Sequence, residues 1–286
     1  MTAPARKTRL SDEEIARYHE EGLVIPDYRI PADMLARMRA EVDDLVARHP
    51  DVRPELLSGA HNPWGQSAKI LGSQAWLDFC RFPEIVDMVE QLIGPDIILW
   101  GSQLFCKPAG HGMAVPWHQD GQYWPIDPLA TVTVRIAVDD SLPENGCMRY
   151  IPGSHKHRSV VAHEFVEASN VAIRQQVADL DESLARDDAL YAGQISIHDV
   201  YLIHGSGENR STKRRSDPQF AAREMVLTRS DGTREYAPPF KLSAHPFAVT
   251  RQAPAQGEHS AEVLREAGYA DTAIGALVAE GVVRIS

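Results

Sequence analysis

Three cysteines in 286 residues, Cys80, Cys106 and Cys147, are too few and too far apart for a disulfide framework or a close metal-ligand pair. A reducing compartment fits that scarcity. No run approaches the roughly 18 consecutive apolar residues of a membrane-spanning helix, and the opening MTAPARKTRLSDEE lacks the apolar stretch of a secretory signal. The expectation is a cytoplasmic chain with no membrane partner. Basic residues are in deficit as well: 29 Lys and Arg stand against 40 Asp and Glu, a formal net charge of -11, which argues against a broad nucleic-acid-binding surface. Internal repeats, coiled-coil heptads and long low-complexity linkers are missing too. What is present, at 43% hydrophobic and 24% charged residues, suffices for one large domain with or without an appendage.

Helical signals come first along the chain. Ser11 and Glu14 in SDEE form a capping box that opens a short helix ending near Gly22, and LVIPDY then reads as a strand. A second helix is expected over about 32–48, with Leu35, Met38, Val42, Leu45 and Val46 on one face. Pro83 and Gly94 bracket a third, PEIVDMVEQLIG. Between them, 51–67 is rich in Pro and Gly and reads as a loop. From about Asp96 the pattern turns to short strands, DIILWGSQLFCK, VPWHQD, ATVTVRIAVDD and QISIHDVYLIHGS, so a largely antiparallel core with helices on one side is expected.

VPWHQDG places His118 and Asp120 two residues apart, on one face of an extended strand. A later run, SIHDVYLIHGS, adds His198 and His204, either of which can complete a three-donor set. Two imidazoles and one carboxylate suit non-haem Fe(II), because they hold one face of an octahedron and leave positions for a co-substrate and O2. Zinc and manganese accept the same donor types, and hydrogen-bonded core histidines are the plain alternative.

WHQDG, NGCMRYIPGSHK and LIHGSGENRS together resemble the phytanoyl-CoA dioxygenase family, a branch of the Fe(II)/2-oxoglutarate-dependent oxygenases, over about residues 11–215. The resemblance implies a mainly β fold with α elements, a double-stranded β-helix or jelly-roll with N-terminal covering helices. It implies iron on His118, Asp120 and His204, and leaves His198 to a supporting or structural place. It implies 2-oxoglutarate and O2 as co-substrates, succinate and CO2 as products, and hydroxylation of an unactivated carbon in a small organic or acyl substrate. Asp120, where a small residue would leave room for halide, favours hydroxylation over halogenation. An Arg ten or eleven residues past the distal ligand is expected to pair with the remote carboxylate of 2-oxoglutarate, which indicates Arg215, with Arg214 as runner-up and Ser206 as a hydroxyl donor. Lys107 and Gln103 alternate along a strand and are candidates for the same pocket, with a solvent-facing Lys107 as the alternative, and Trp117, Tyr123 and Trp124 are candidates for its substrate wall, with core packing as theirs.

After Arg215 the chain departs from that pattern. DPQFAAREMV, PPFKLSAHPF and GEHSAEVLREAGY instead resemble the end of family III CoA-transferases over about 217–283, without the part that carries that family's catalytic carboxylate. The expected organisation is therefore an oxygenase-like domain over 1–215 and an atypical tail over 216–286. The competing reading is a non-catalytic metal-binding or interaction protein impaired by loss of the final core strand. A homodimer is compatible with either, although no sequence signal fixes an interface.

Overall fold

The computed structural model describes residues 9–223 apart from 68, 127 and 169, together with 226–228, 234–236, 257 and 259–284; for residue 67 and for 218–236 the description is of backbone alone. The chain divides into two compact units, Met1–Met225 and Val226–Ser286.

Three helices of the first unit lie where their sequence signals place them. Asp12–Glu21 starts on its capping box: the Glu14 amide donates to Ser11 Oγ at 3.3 Å and the Ser11 amide to Glu14 Oε2 at 2.7 Å. It stops at Gly22, whose φ of 83° is left-handed and where a Cβ would lie 2.5 Å from the His155 ring. Ala32–Arg48 buries Met38, Val42 and Leu45, and Pro83–Ile93 buries Ile85, Met88 and Val89. A fourth helix, Gln74–Cys80, spans too few turns to show a hydrophobic period; its Ser73 cap is the local sign of it.

Six strands form one antiparallel sheet in the order Leu23–Val24, Ile195–Asp199, Val132–Ile136, Arg215–Arg223, Ile98–Lys107, Leu57–Ser58. Four more form a second antiparallel sheet, Arg186–Asp188, Met148–Tyr150, His204–Ser206, Val115–His118. The expected double-stranded β-helix is corrected here. The architecture is a mixed α/β fold of several separate antiparallel sheets, none of which closes into a barrel or jelly-roll among the described residues. The six-stranded sheet ends at two strands of two residues each, which offer too little ladder to pair onward. Of LVIPDY, Leu23–Val24 alone are paired, since Pro26 has no N–H to extend a ladder.

The strand Arg215–Arg223 sits inside the six-stranded sheet. It pairs with Ile98–Lys107 on one side, Arg215 opposite Lys107, and with Val132–Ile136 on the other. The backbone after Arg215 therefore completes the sheet in the interval where the sequence suggested a missing strand. In the second unit, Val226–Thr228 pairs with Arg234–Tyr236, and Ser260–Glu266 and Asp271–Ala279 are helices.

Because side chains alternate along a strand, the six-stranded sheet has two unlike faces. Val132, Val134, Ile136, Ile195, Ile197, Leu104 and Cys106 join the helices in one apolar core. Thr133, Arg135, Ser196, His198, Lys107, Arg215 and Asp217 occupy alternate positions, and all are buried. That polar inner face meets the four-stranded sheet and builds the site.

Candidate metal centre and adjoining cavity

His118 ends its strand, and Asp120 opens a 3-10 turn, Asp120–Gln122. The two are not on one continuous strand, as the HxD spacing suggested. Gln119, fully buried between them, is extended, and its side-chain Nε2 donates to the Ser159 and Tyr201 carbonyls at 3.2 and 2.7 Å. The third donor comes from the neighbouring strand, where His204 pairs directly with His118.

Donor atoms of His118, Asp120 and His204 all lie within 4.8 Å of one another. His118 Nδ1 is 2.8 Å from the Pro116 carbonyl and His204 Nδ1 is 2.9 Å from the Leu202 carbonyl. A carbonyl accepts only, so in each ring the proton sits on Nδ1 and Nε2 presents a bare lone pair. Those Nε2 atoms face Asp120 Oδ1 at 3.6 and 3.7 Å. Two lone pairs turned toward a carboxylate oxygen, with no proton between them, repel unless a cation lies among them, and metal–donor bonds of about 2.0–2.2 Å fit the gap. The protonation states agree. Burial, joined by the neighbouring His118, holds His204 well below the ordinary imidazole value and so neutral. Although burial opposes it, the imidazoles gathered around Asp120 hold its carboxyl well below the ordinary carboxylate value, and so ionised. His198 is not a member of the donor set; it approaches the other oxygen, Asp120 Oδ2, at 3.3 Å.

A narrow cavity adjoins the two ligand histidines, lined also by Phe105, Val115, Met148, Ser206 and Arg215. Arg215 is held by Asp217 Oδ2 at 2.5 Å from Nε and by the Gly146 carbonyl at Nη1. Lys107 Nζ donates to Ser206 Oγ at 2.7 Å and to the Gly207 carbonyl at 2.5 Å. Arg214 points elsewhere, toward Asp43 and Asp139 in a surface depression shared with Arg39 and Lys213. Gln103 turns to the Glu55 carbonyl at 3.2 Å and is not among the cavity's lining.

The aromatic candidates separate in the same way. Tyr123 lies edge-on to His118 with ring centroids 5.9 Å apart and is 39% exposed, so it stands between the metal centre and solvent. Trp117 packs with Ile151, Val177 and Ile203 beneath the Arg149 guanidinium. Trp124 is half-buried and lines neither depression.

Two features of the site went without a role at the sequence level. Thr133 Oγ1 donates to Asp120 Oδ2 at 2.7 Å. Arg135 binds Asp188 Oδ2 at 3.1 Å through Nε, and Ser141 Oγ at 2.9 Å and Asp217 Oδ2 at 2.7 Å through Nη1, so Arg215 rests on a buried charge network. The signal was available in ATVTVRIAV: Thr133 and Arg135 interrupt an apolar strand at period two, the mark of a polar face that must be satisfied inside.

A family model described as phytanoyl-CoA dioxygenase matches residues 18–216. The chain is 31% identical over 224 residues to a probable phytanoyl-CoA dioxygenase of Caenorhabditis elegans, covering 71% of this chain and 72% of that protein. It is 34% identical over 140 residues to a probable alpha-ketoglutarate-dependent hypophosphite dioxygenase of Stutzerimonas stutzeri, covering 47% of this chain and 48% of that relative, about half its length. Among solved structures, a non-heme monooxygenase, ThoJ in its apo form, superposes with a TM-score of 0.59 at 28% identity, covering 73% of this chain and 76% of that one. EctD from S. alaskensis with bound Fe, at 18% identity and a TM-score of 0.57, covers 83% and 82% and shares the fold. These matches give no support to the CoA-transferase resemblance of 217–283, and its motif PPFKLSAHPF lies outside the described residues.

Proposed function

The chain belongs to the phytanoyl-CoA dioxygenase family, and from that membership and the geometry of its centre we propose that it hydroxylates an unactivated carbon of a small organic or acyl substrate, converting 2-oxoglutarate to succinate and CO2. Fe(II)/2-oxoglutarate oxygenase chemistry rests on the family match together with the two-histidine, one-carboxylate centre. The observation that carries it is the convergence of two unprotonated Nε2 atoms on Asp120 Oδ1, a donor set that makes sense around a cation. Bound Fe(II) and 2-oxoglutarate supply the oxidising chemistry, in which decarboxylation of the co-substrate activates O2 for insertion into a C–H bond.

The chain's own residues set up that chemistry. His118, Asp120 and His204 would hold the ion and leave room for the co-substrate and O2. Arg215 is the residue to receive the remote carboxylate of 2-oxoglutarate, because it is buried, lines the cavity beside the ligand histidines and offers a planar fork. Ser206 adds a hydroxyl at the same end, and Lys107, which is not among the cavity's lining, anchors that hydroxyl through its amine. Phe105, Val115 and Met148 make the remaining wall apolar and exclude water from the co-substrate's carbon chain. Tyr123, at the exposed side of His118, is where substrate would approach. The non-catalytic alternative loses its motive, since it drew on a missing core strand and the strand after Arg215 is paired on both sides.

Anaerobic reconstitution with Fe(II), followed by O2, 2-oxoglutarate and a chemically broad substrate panel, tests the reading. Succinate formation coupled to an oxidised product is expected. An ion bound at the triad that supports neither succinate formation nor a spectral change on adding 2-oxoglutarate would refute it.

A further inference from the structure

His198 is fully buried, and neither ring nitrogen is in a well-aligned hydrogen bond. A buried polar atom left unsatisfied costs about 1–3 kcal/mol, so an imidazole with two poorly satisfied nitrogens, beside a metal centre, calls for a reason. Its Nε2 lies 3.3 Å from Asp120 Oδ2, the oxygen to which Thr133 already donates at 2.7 Å. The carboxylate is thereby sorted. Oδ1 faces the Nε2 atoms of His118 and His204, and Oδ2 faces a hydroxyl and a third imidazole. An ionised carboxylate accepts only, so His198 toward it must carry its proton on Nε2, the opposite tautomer from the two ligand histidines.

Thr133 and His198 sit directly opposite each other across neighbouring antiparallel strands, and Leu23 pairs with His198 from its other side. Two donors on one rung of a buried ladder form a rigid platform. On the family reading of the centre, we propose that the Thr133–His198 pair is a two-donor clamp that reserves Asp120 Oδ2, keeps Asp120 a one-oxygen ligand and leaves free the coordination position a bidentate carboxylate would take. His198 acts through Asp120 and is a positioning residue, not a ligand.

Co(II) is the probe, because its absorption reports coordination number without turnover. Full-length protein and four variants, His198→Phe, His198→Gln, Thr133→Val and Thr133→Ser, are titrated with Co(II) and then with 2-oxoglutarate. His198→Phe keeps a ring in the core but removes the donor; Gln restores an N–H donor without the ring. Loss of such a partner weakens metal binding about 10–100-fold. That loss is expected for His198→Phe and Thr133→Val, with a changed Co(II) spectrum and a smaller response to 2-oxoglutarate, and with substantial recovery in His198→Gln and Thr133→Ser. If His198→Phe fails to fold, the Thr133 pair carries the same comparison. Wild-type affinity and spectrum in folded His198→Phe or in Thr133→Val overturn the clamp, as does a His198→Gln variant as impaired as His198→Phe. Failure of the wild-type protein to bind Co(II) at the triad overturns the metal centre and the clamp together.

Discussion

Lys107 is wholly buried, and its amine is pushed down from 10.5 to about 6, first by burial and then by the charge of Arg215, against opposing pulls from Asp217, Glu55 and Cys147. In the unfolded chain the same amine titrates at its ordinary value. Between those two values the unfolded state carries a proton that the folded state lacks, so stability rises with pH across the window. The penalty is fully present below about pH 6 and gone above about 10.5; at pH 7, 3.5 units from 10.5, it amounts to about 5 kcal/mol. Lys107→Met fills similar space and removes that penalty. It also removes the hydrogen bonds to Ser206 and the Gly207 carbonyl, a loss of about 2–3 kcal/mol. The variant without ligand should therefore be more stable at pH 7 by about 2 kcal/mol, a rise in Tm of roughly 4–8 °C. At pH 10 the penalty is nearly absent and the order should reverse. Thermal melts of both proteins at pH 7, 8.5 and 10 check it. A Tm difference that stays constant with pH would mean that the buried amine remains charged, and the reasoning would fail.

His118→Ala, Asp120→Ala and His204→Ala should each abolish coupled oxidation and strip Fe(II) on gel filtration; retention of metal and turnover in any one removes that residue from the triad. Arg215→Ala should raise the 2-oxoglutarate requirement about 100-fold, the weight of a lost charged hydrogen-bond pair, while Arg214→Ala, bonded to Asp43 and Asp139, leaves it in place. Steady-state kinetics in 2-oxoglutarate distinguishes them, and the reverse pattern would move the role to Arg214. Arg135→Met should destabilise by about 3–5 kcal/mol, because Asp188 and Asp217 are left as buried charges short of a partner. Denaturant unfolding measures it, and near-neutral stability would show that the network is hydrated.

The three longer helices of the first unit were legible because each announces itself locally. Ser11 and Glu14 cap one, Pro83 and Gly94 bracket another, and Met38, Val42 and Leu45 recur at helical period in the third. The closure expected of the sheets is not found, and residue patterns could not have warned of it, since they report faces rather than pairing partners. At the site, His118, Asp120 and His204 could be read from their motifs, although Asp120 reaches the centre from a turn and not from the strand. Spacing alone left Arg214 beside Arg215 as a candidate, because ten and eleven residues past His204 fit equally and the strand that aims Arg215 inward begins only at that residue. One faces Asp139 and the surface, the other the cavity. Thr133, Arg135 and His198 were visible as polar interruptions of apolar strands, but their partners, Asp120, Asp188 and Asp217, are assembled only by the fold.

The position of Arg215–Arg223 between Ile98–Lys107 and Val132–Ile136 also orders events in time. Two strands made early remain as bare edges until a strand made about a hundred residues later is inserted between them. At roughly 5–20 residues per second, synthesis leaves that gap open for roughly 5–20 s. During that interval the nascent chain exposes two hydrogen-bonding edges to other chains. The residue that opens the inserted strand is Arg215, so the cleft proposed to take 2-oxoglutarate is assembled in the same late step that seals the sheet.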